Sequence, residues 1–141
     1  MEERVCPDEA ATRRLGRELA QHLRPGDVVL LLGDLGSGKT VFVRGLAEGL
    51  GLDASEVASP TFALLHEYGP PGRPPVLLHA DLYRLSEGSE RDGVEELGFA
   101  ARGEAILAVE WPRPPVSEER AWRVSLKELA GGARRIRIEK P

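Results

Sequence analysis

The chain has 141 residues, 41% of them hydrophobic and 30% charged, with a formal net charge of -4. That length suits one domain around one core and leaves no room for a second independent one. The acidic balance excludes a broad nonspecific grip on nucleic acid, so any contact with RNA is expected to be local or made through a partner.

The single cysteine, Cys6, cannot close an intrachain disulfide, which suits a reducing compartment. Met1 to Pro7 is too short and too charged for a signal peptide, and no apolar run reaches membrane-spanning length. The expected address is cytoplasmic, with no membrane partner. Asn is absent, so a guanine-reading Asn-Lys-x-Asp motif cannot occur, which counts against a GTPase of the usual kind.

In chain order, Pro7 suits the first turn of a helix whose dipole Asp8 and Glu9 would complement. Ala11, Leu15, Leu19 and Leu23 recur every four residues and predict one apolar stripe, ended by Pro25-Gly26. Asp27 to Leu32 is a nearly unbroken apolar run, as expected of a strand covered on both faces. Gly33-Asp34-Leu35-Gly36-Ser37-Gly38-Lys39-Thr40 follows and reads G-x-x-x-x-G-K-T, a phosphate-binding loop between a strand and a helix.

A triphosphate concentrates negative charge, so its site needs donors converging on a tight radius. Gly33, Gly36 and Gly38 let the backbone amides of residues 34 to 41 turn inward, and a helix running from Val41 brings its N-terminus against the phosphates. Lys39 supplies a mobile positive charge for the β and γ phosphates, and the Thr40 hydroxyl is placed to ligate Mg²⁺. A glycine-rich turn that binds nothing would explain the glycines but not the Lys-Thr pair.

The helix keeps its spacing through Phe42, Val43, Leu46, Ala47 and Leu50, with Gly51 as its stop. Gly45 and Gly49 lie inside it, each costing about 1 kcal/mol relative to Ala, and predict close approach of a neighbouring element. Ser59-Pro60-Thr61-Phe62 opens a strand expected to run to Tyr68. Residues 69 to 75 are Gly- and Pro-rich and read as a hairpin connection to Val76–Ala80, which delivers Asp81. Ser89 to Leu97 predicts a short helix. Ala105 to Val109 is another buried strand, ending in Glu110 and Trp111, and Pro114-Pro115 marks a loop. Arg120–Leu126 and Arg134–Glu139 alternate around Gly131-Gly132 as an antiparallel hairpin would. Arg134, Arg135 and Arg137 are expected on its solvated outer face.

A phosphate-binding loop needs a metal-side carboxylate at the end of a neighbouring buried strand. Asp81 and Glu110 both qualify, and spacing does not rank them. Ser59 and Thr61 lie where many such proteins carry a segment that senses the γ-phosphate, or they form a capped turn. His66 and His79, on apolar segments, read as core or strand-face residues, and no Cys/His spacing suggests zinc. Trp111 either packs in the core or covers the nucleotide site.

The loop together with Ser-Pro-Thr-Phe at 59 to 62, His-x-Asp-Leu-Tyr-Arg-Leu at 79 to 85, Glu-x-Leu-Gly at 95 to 98 and Glu-Trp-Pro at 110 to 112 resembles the TsaE (YjeE) family. These are small bacterial P-loop ATPases needed to make threonylcarbamoyladenosine in tRNA. The resemblance implies an α/β fold of the P-loop NTPase type over residues 1–141, with a mixed central sheet, flanking helices and the C-terminal hairpin. It implies ATP as substrate, Mg²⁺ as cofactor, and TsaB and TsaD as partners, with hydrolysis resetting the TsaD-containing complex.

It also favours Glu110 as the metal-side acid and makes Asp81 a second essential carboxylate that orders the metal's water shell or the attacking water. Ser59 and Thr61 would form a switch-like segment with Trp111 nearby. Pro112-Arg113 departs from the family, where an acid often follows the Pro. With no arginine finger evident in the chain, turnover is expected to be weak without partners. The competing classes are a small-molecule kinase, for which little length remains to build an acceptor pocket and lid, and a nucleotide-dependent binding module with incidental hydrolysis.

Overall fold

The computed structural model describes residues 2–34, 36–56, 65–81, 105–111 and 121–141, with backbone only for Leu65, Asp81 and Trp111. The elements are β1 (Glu2–Cys6), α1 (Glu9–Ala20), β2 (Val28–Leu32), α2 (Lys39–Gly49), β3 (Leu65–Tyr68), β4 (Leu77–Asp81), β5 (Ile106–Trp111), β6 (Trp122–Glu128) and β7 (Arg134–Glu139). They build a mixed α/β domain of the P-loop NTPase type around a seven-stranded sheet ordered β1-β7-β6-β2-β5-β4-β3. β2 is central, parallel to both β5 and β6, and β4 runs parallel to β5. The outer pairs β3–β4, β6–β7 and β1–β7 are antiparallel, so the expected hairpins at both ends of the chain's sheet are present.

The apolar run of β2 is buried on both faces, which is why it carries no polar alternation. Val29 and Leu31 join Leu15, Leu19, Phe42, Val43 and Leu46 on the face packed by the two helices, while Leu30 joins Leu78, Leu107 and Val109 on the other. A strand fixed this firmly, with the phosphate-loop sequence at its C-terminal end, holds that loop at the middle of the sheet.

Two expectations near the N-terminus need correction. Glu2–Cys6 forms β1, an edge strand that the sequence reading missed because only Cys6 of its residues is buried, leaving no apolar alternation to detect. Pro7 lies outside α1 rather than in its first turn. Asp8 is the N-cap, its carboxylate accepting from the Ala11 amide at 2.9 Å, and Glu9 is the acid in the first turn. Burial pushes the Cys6 thiol up from its ordinary range, which suits an unreactive core position.

The helix glycines have the expected cause. A methyl at Gly45 would stand 2.1 Å from the Arg13 carbonyl oxygen of α1, and one at Gly49 would stand 2.5 Å from the Ala20 Cβ. The contact is reciprocal, since a methyl at Gly16 would meet the Phe42 carbonyl at 2.5 Å. Gly45→Ala is therefore expected to destabilise by about 1–3 kcal/mol through forced separation of the helices. This reverses the gain of about 1 kcal/mol that propensity alone would give. Urea unfolding measures it, and a stabilised variant would contradict the packing described.

Glu48 ties the same two helices together. Its carboxylate accepts from Arg13 at 2.6 Å and from Arg17 at 3.1 Å, with its side chain 24% exposed. The hydrogen bond from Arg13, aided by the Arg17 charge, holds the Glu48 carboxyl below its usual range. A depressed folded value means that the stabilisation is fully present above the unfolded value of about 4.3 and disappears as pH falls through the lower folded one. Glu48→Gln is thus expected to cost about 0.5–1 kcal/mol at neutral pH. The wild-type and variant urea midpoints should converge on acidification below that window.

Candidate nucleotide-binding site

The loop after β2 takes the backbone form that its glycines were read to permit. Gly33, Gly36 and Gly38 have φ of 155°, 79° and 102°, values that L side chains rarely adopt. Space reinforces conformation at Gly33, where a methyl would lie 2.6 Å from both the Leu126 carbonyl of β6 and the Ser37 hydroxyl. The Ser37 amide closes the turn onto the Asp34 carbonyl at 3.1 Å.

α2 begins at Lys39, earlier than the sequence suggested, with Gly38 as its left-handed N-cap. Its first ladder bond runs from the Phe42 amide to the Gly38 carbonyl at 2.9 Å, so the amides of Lys39, Thr40 and Val41 precede the helical ladder. They form the positive end of the helix dipole beside the loop.

Lys39 is only 5% exposed, and its ammonium folds back onto the loop, donating to the Gly33 carbonyl and, at 3.1 Å, to the Asp34 carbonyl. The Ser37 hydroxyl is buried without a hydrogen-bond partner among the described residues. Buried hydroxyls of native proteins are generally satisfied, so an orphan in this loop marks a place built to receive something polar.

Glu110 is brought to this loop by the sheet. β5 lies beside β2 in parallel register, pairing Leu31 with Glu110 and Leu32 with Trp111. The Glu110 carboxylate is 4% exposed, and the Thr40 hydroxyl donates to it at 3.3 Å. A hydroxyl and a carboxylate, both hard oxygen donors, at the start of α2 are the ligand types that Mg²⁺ takes alongside phosphate oxygens, so these residues fit that cation.

Asp81 stands next to Glu110 in the β4–β5 ladder, one strand further from β2. Thr40 and Glu110 therefore meet, Lys39 precedes Thr40 at the start of α2 with its ammonium on the loop, and the Asp81 backbone pairs with Glu110. The Asp34 carbonyl, Gly36, Ser37, Gly38 and Val41 lie in the same loop and helix start. Leu35, Ser59 and Thr61 fall outside the described residues, as do the expected helix at 89–97 and the loop at 114–115.

Two residues make contacts here that the sequence did not reveal. His79 is fully buried, as a core residue would be, and its Nε2 lies 2.5 Å from Glu110 Oε2, while its Nδ1 has no partner among the described residues. It meets the same carboxylate oxygen that accepts from Thr40, and the available signal was its place two residues before Asp81. Arg134 was assigned to a solvated face. Its guanidinium instead donates to the Gly36 carbonyl at 3.0 Å, inside the phosphate loop. Arg135 and Arg137 do keep half-exposed side chains paired with Glu3 and Glu139. His66 contacts the Tyr68 hydroxyl at 3.1 Å and is the cross-strand partner of His79 in the β3–β4 ladder.

A family model described as "Threonylcarbamoyl adenosine biosynthesis protein TsaE" matches residues 6–136. The chain belongs to the TsaE family. The "tRNA threonylcarbamoyladenosine biosynthesis protein TsaE" of Streptomyces coelicolor is 43% identical over 116 residues, covering 82% of this chain and 76% of that protein. The protein of the same description from Bacillus subtilis is 42% identical over 107 residues, covering 76% of this chain and 63% of its own length. Among solved structures, the crystal structure of Bacillus subtilis YdiB superposes with a TM-score of 0.69 at 27% identity, covering 99% of this chain and 84% of that one. TsaE is thus a shared description of the sequence relatives, and the fold matches over nearly the whole chain. Among the described residues no helix is long and apolar enough to cross a membrane.

Proposed function

We propose that this TsaE-family chain is a Mg²⁺-dependent ATPase, a single domain over residues 1–141. It would act in the cytoplasm as an accessory subunit, with TsaB and TsaD, in making threonylcarbamoyladenosine in tRNA. The observation that carries the reading is the contact of the Thr40 hydroxyl with the buried Glu110 carboxylate, at the end of a loop of three positive-φ glycines onto which the buried Lys39 ammonium folds. A turn that merely joins a strand to a helix has no reason to bury a lysine on its own carbonyls and a carboxylate against its helix start.

In this reading the loop amides and the α2 N-terminus hold the β and γ phosphates, and Lys39 exchanges its loop carbonyls for phosphate oxygens. Thr40 and Glu110 would hold Mg²⁺, which when bound neutralises charge on the phosphate oxygens. His79 keeps the Glu110 carboxylate from rotating away. Asp81, at the tip of β4, would order the attacking water or the metal's water shell, and Ser59, Thr61 and Trp111 would respond to the nucleotide. ATP hydrolysis would reset the TsaD-containing complex, with tRNA met through partners or locally.

Phosphate release from ATP, measured with and without Mg²⁺ and with TsaB and TsaD added, tests the reading. Weak Mg²⁺-dependent release that rises with the partners is expected. Transfer of the γ-phosphate to a metabolite would favour the kinase reading instead, and binding without any release would leave a nucleotide-gated binding module.

A further inference from the structure

We propose that Arg134, at the start of β7, is a positioning residue for the phosphate loop, clamping it in its phosphate-accepting form from the C-terminal hairpin. The inference rests on the nucleotide-binding reading above and assigns a role to a residue that reading does not use. The Arg134 guanidinium spans two pieces of chain. Nη2 donates to the Gly36 carbonyl at 3.0 Å, while Nη1 donates to the Gly132 and Ala133 carbonyls at 3.0 and 3.1 Å. Its side chain is 19% exposed, and Glu128 is 3.8 Å away across the hairpin. The Nε atom lies 3.6 Å from where a methyl on Gly38 would stand, so the side chain covers the loop from Gly36 to Gly38.

The chemistry suits a clamp. The Gly36 carbonyl, bonded to a rigid, always-charged fork, cannot rotate toward the phosphate site. The same hairpin meets the loop's other end, since the Leu126 carbonyl of β6 is the group that a side chain at Gly33 would strike. Both ends of the loop therefore lean on β6–β7. The fixed positive charge also adds to that of Lys39 where phosphates would bind. Arg135, the next residue, has a half-exposed side chain and meets Glu3 of β1 instead, so it provides a control of equal charge.

The test uses the full chain and MgADP as probe. Arg134→Gln is expected to weaken MgADP binding about 10-fold, the worth of one charge-assisted hydrogen bond, with the urea midpoint near wild type. Arg134→Lys keeps the charge but cannot span both sets of carbonyls, and a loss of about 3-fold or more is expected. Arg135→Gln should bind as wild type. In the nucleotide-free protein, the Ser37 amide should exchange with solvent faster in both Arg134 variants, a change that lost charge alone would not produce. Should Arg134→Gln fail to fold, Arg134→Lys decides. Wild-type affinity and wild-type Ser37 exchange in the Arg134 variants, or an equal loss in Arg135→Gln, would overturn the clamp. A wild-type protein that binds no MgADP would instead overturn the nucleotide reading, leaving the clamp to be judged on Ser37 exchange.

Discussion

Replacing Lys39 with Ala is expected to reduce Mg²⁺-dependent phosphate release about 100-fold or more, while leaving the fold in place. The size follows from what the ammonium would do in the transition state, where charge spreads over phosphoryl oxygens and a preorganised cation in a water-poor site is worth several kcal/mol. The separation from stability follows from its surroundings. A nearly buried ammonium that folds back on loop carbonyls has surrendered most of its hydration, so it contributes little to folding. Phosphate release and urea unfolding measured on the same preparation check both halves. Activity retained by a folded Lys39→Ala protein would remove the lysine from the mechanism.

Glu110→Gln is expected to have the second large effect and a different signature. The amide has nearly the shape of the carboxylate, can accept from the Thr40 hydroxyl and can still meet His79 Nε2, so packing should survive. What disappears is the negative charge that would draw in a divalent cation. Phosphate release should fall by about 100-fold, and the Mg²⁺ concentration needed for half-maximal activity should rise. Because the buried carboxylate is costly to keep out of water, the variant's unfolding midpoint should match or exceed that of the wild type. A variant that lost stability and activity together, with unchanged Mg²⁺ dependence, would mean that Glu110 is structural. Thr40 and His79 would then be packing partners rather than parts of a site.

The parts of this site that were legible in the sequence are those encoded locally. Gly33, Gly36 and Gly38 need positive φ, a Lys-Thr pair follows at fixed offset, and β2 and α2 flank them, so neighbouring residues specify the loop. Glu110 was legible as an acid at the end of an apolar run, since parallel strands beside a phosphate loop present their C-terminal ends to it. The ranking of Asp81 and Glu110 was not legible, because it depends on which strand neighbours β2. Strand order is a tertiary property, and here β5 takes that place with β4 one further out.

Arg134 and His79 show why alternation misleads. An arginine on a half-exposed strand gives the same pattern whether it meets water or a loop 98 residues earlier, and the Gly36 contact is of the second kind. A histidine within an apolar run reads as core because it is buried, and burial is also what a residue steadying a carboxylate requires. β1 escaped for the opposite reason, as an edge strand with charged residues has no apolar face to announce it.

The most direct test of the account is calorimetric titration of ATP or ADP into the purified chain, with Mg²⁺ and with the cation chelated. The account predicts saturable binding at or below about millimolar nucleotide. That binding should weaken without Mg²⁺ and be lost in Lys39→Ala. Absence of Mg²⁺-dependent binding, with TsaB and TsaD present as well as without them, would contradict it.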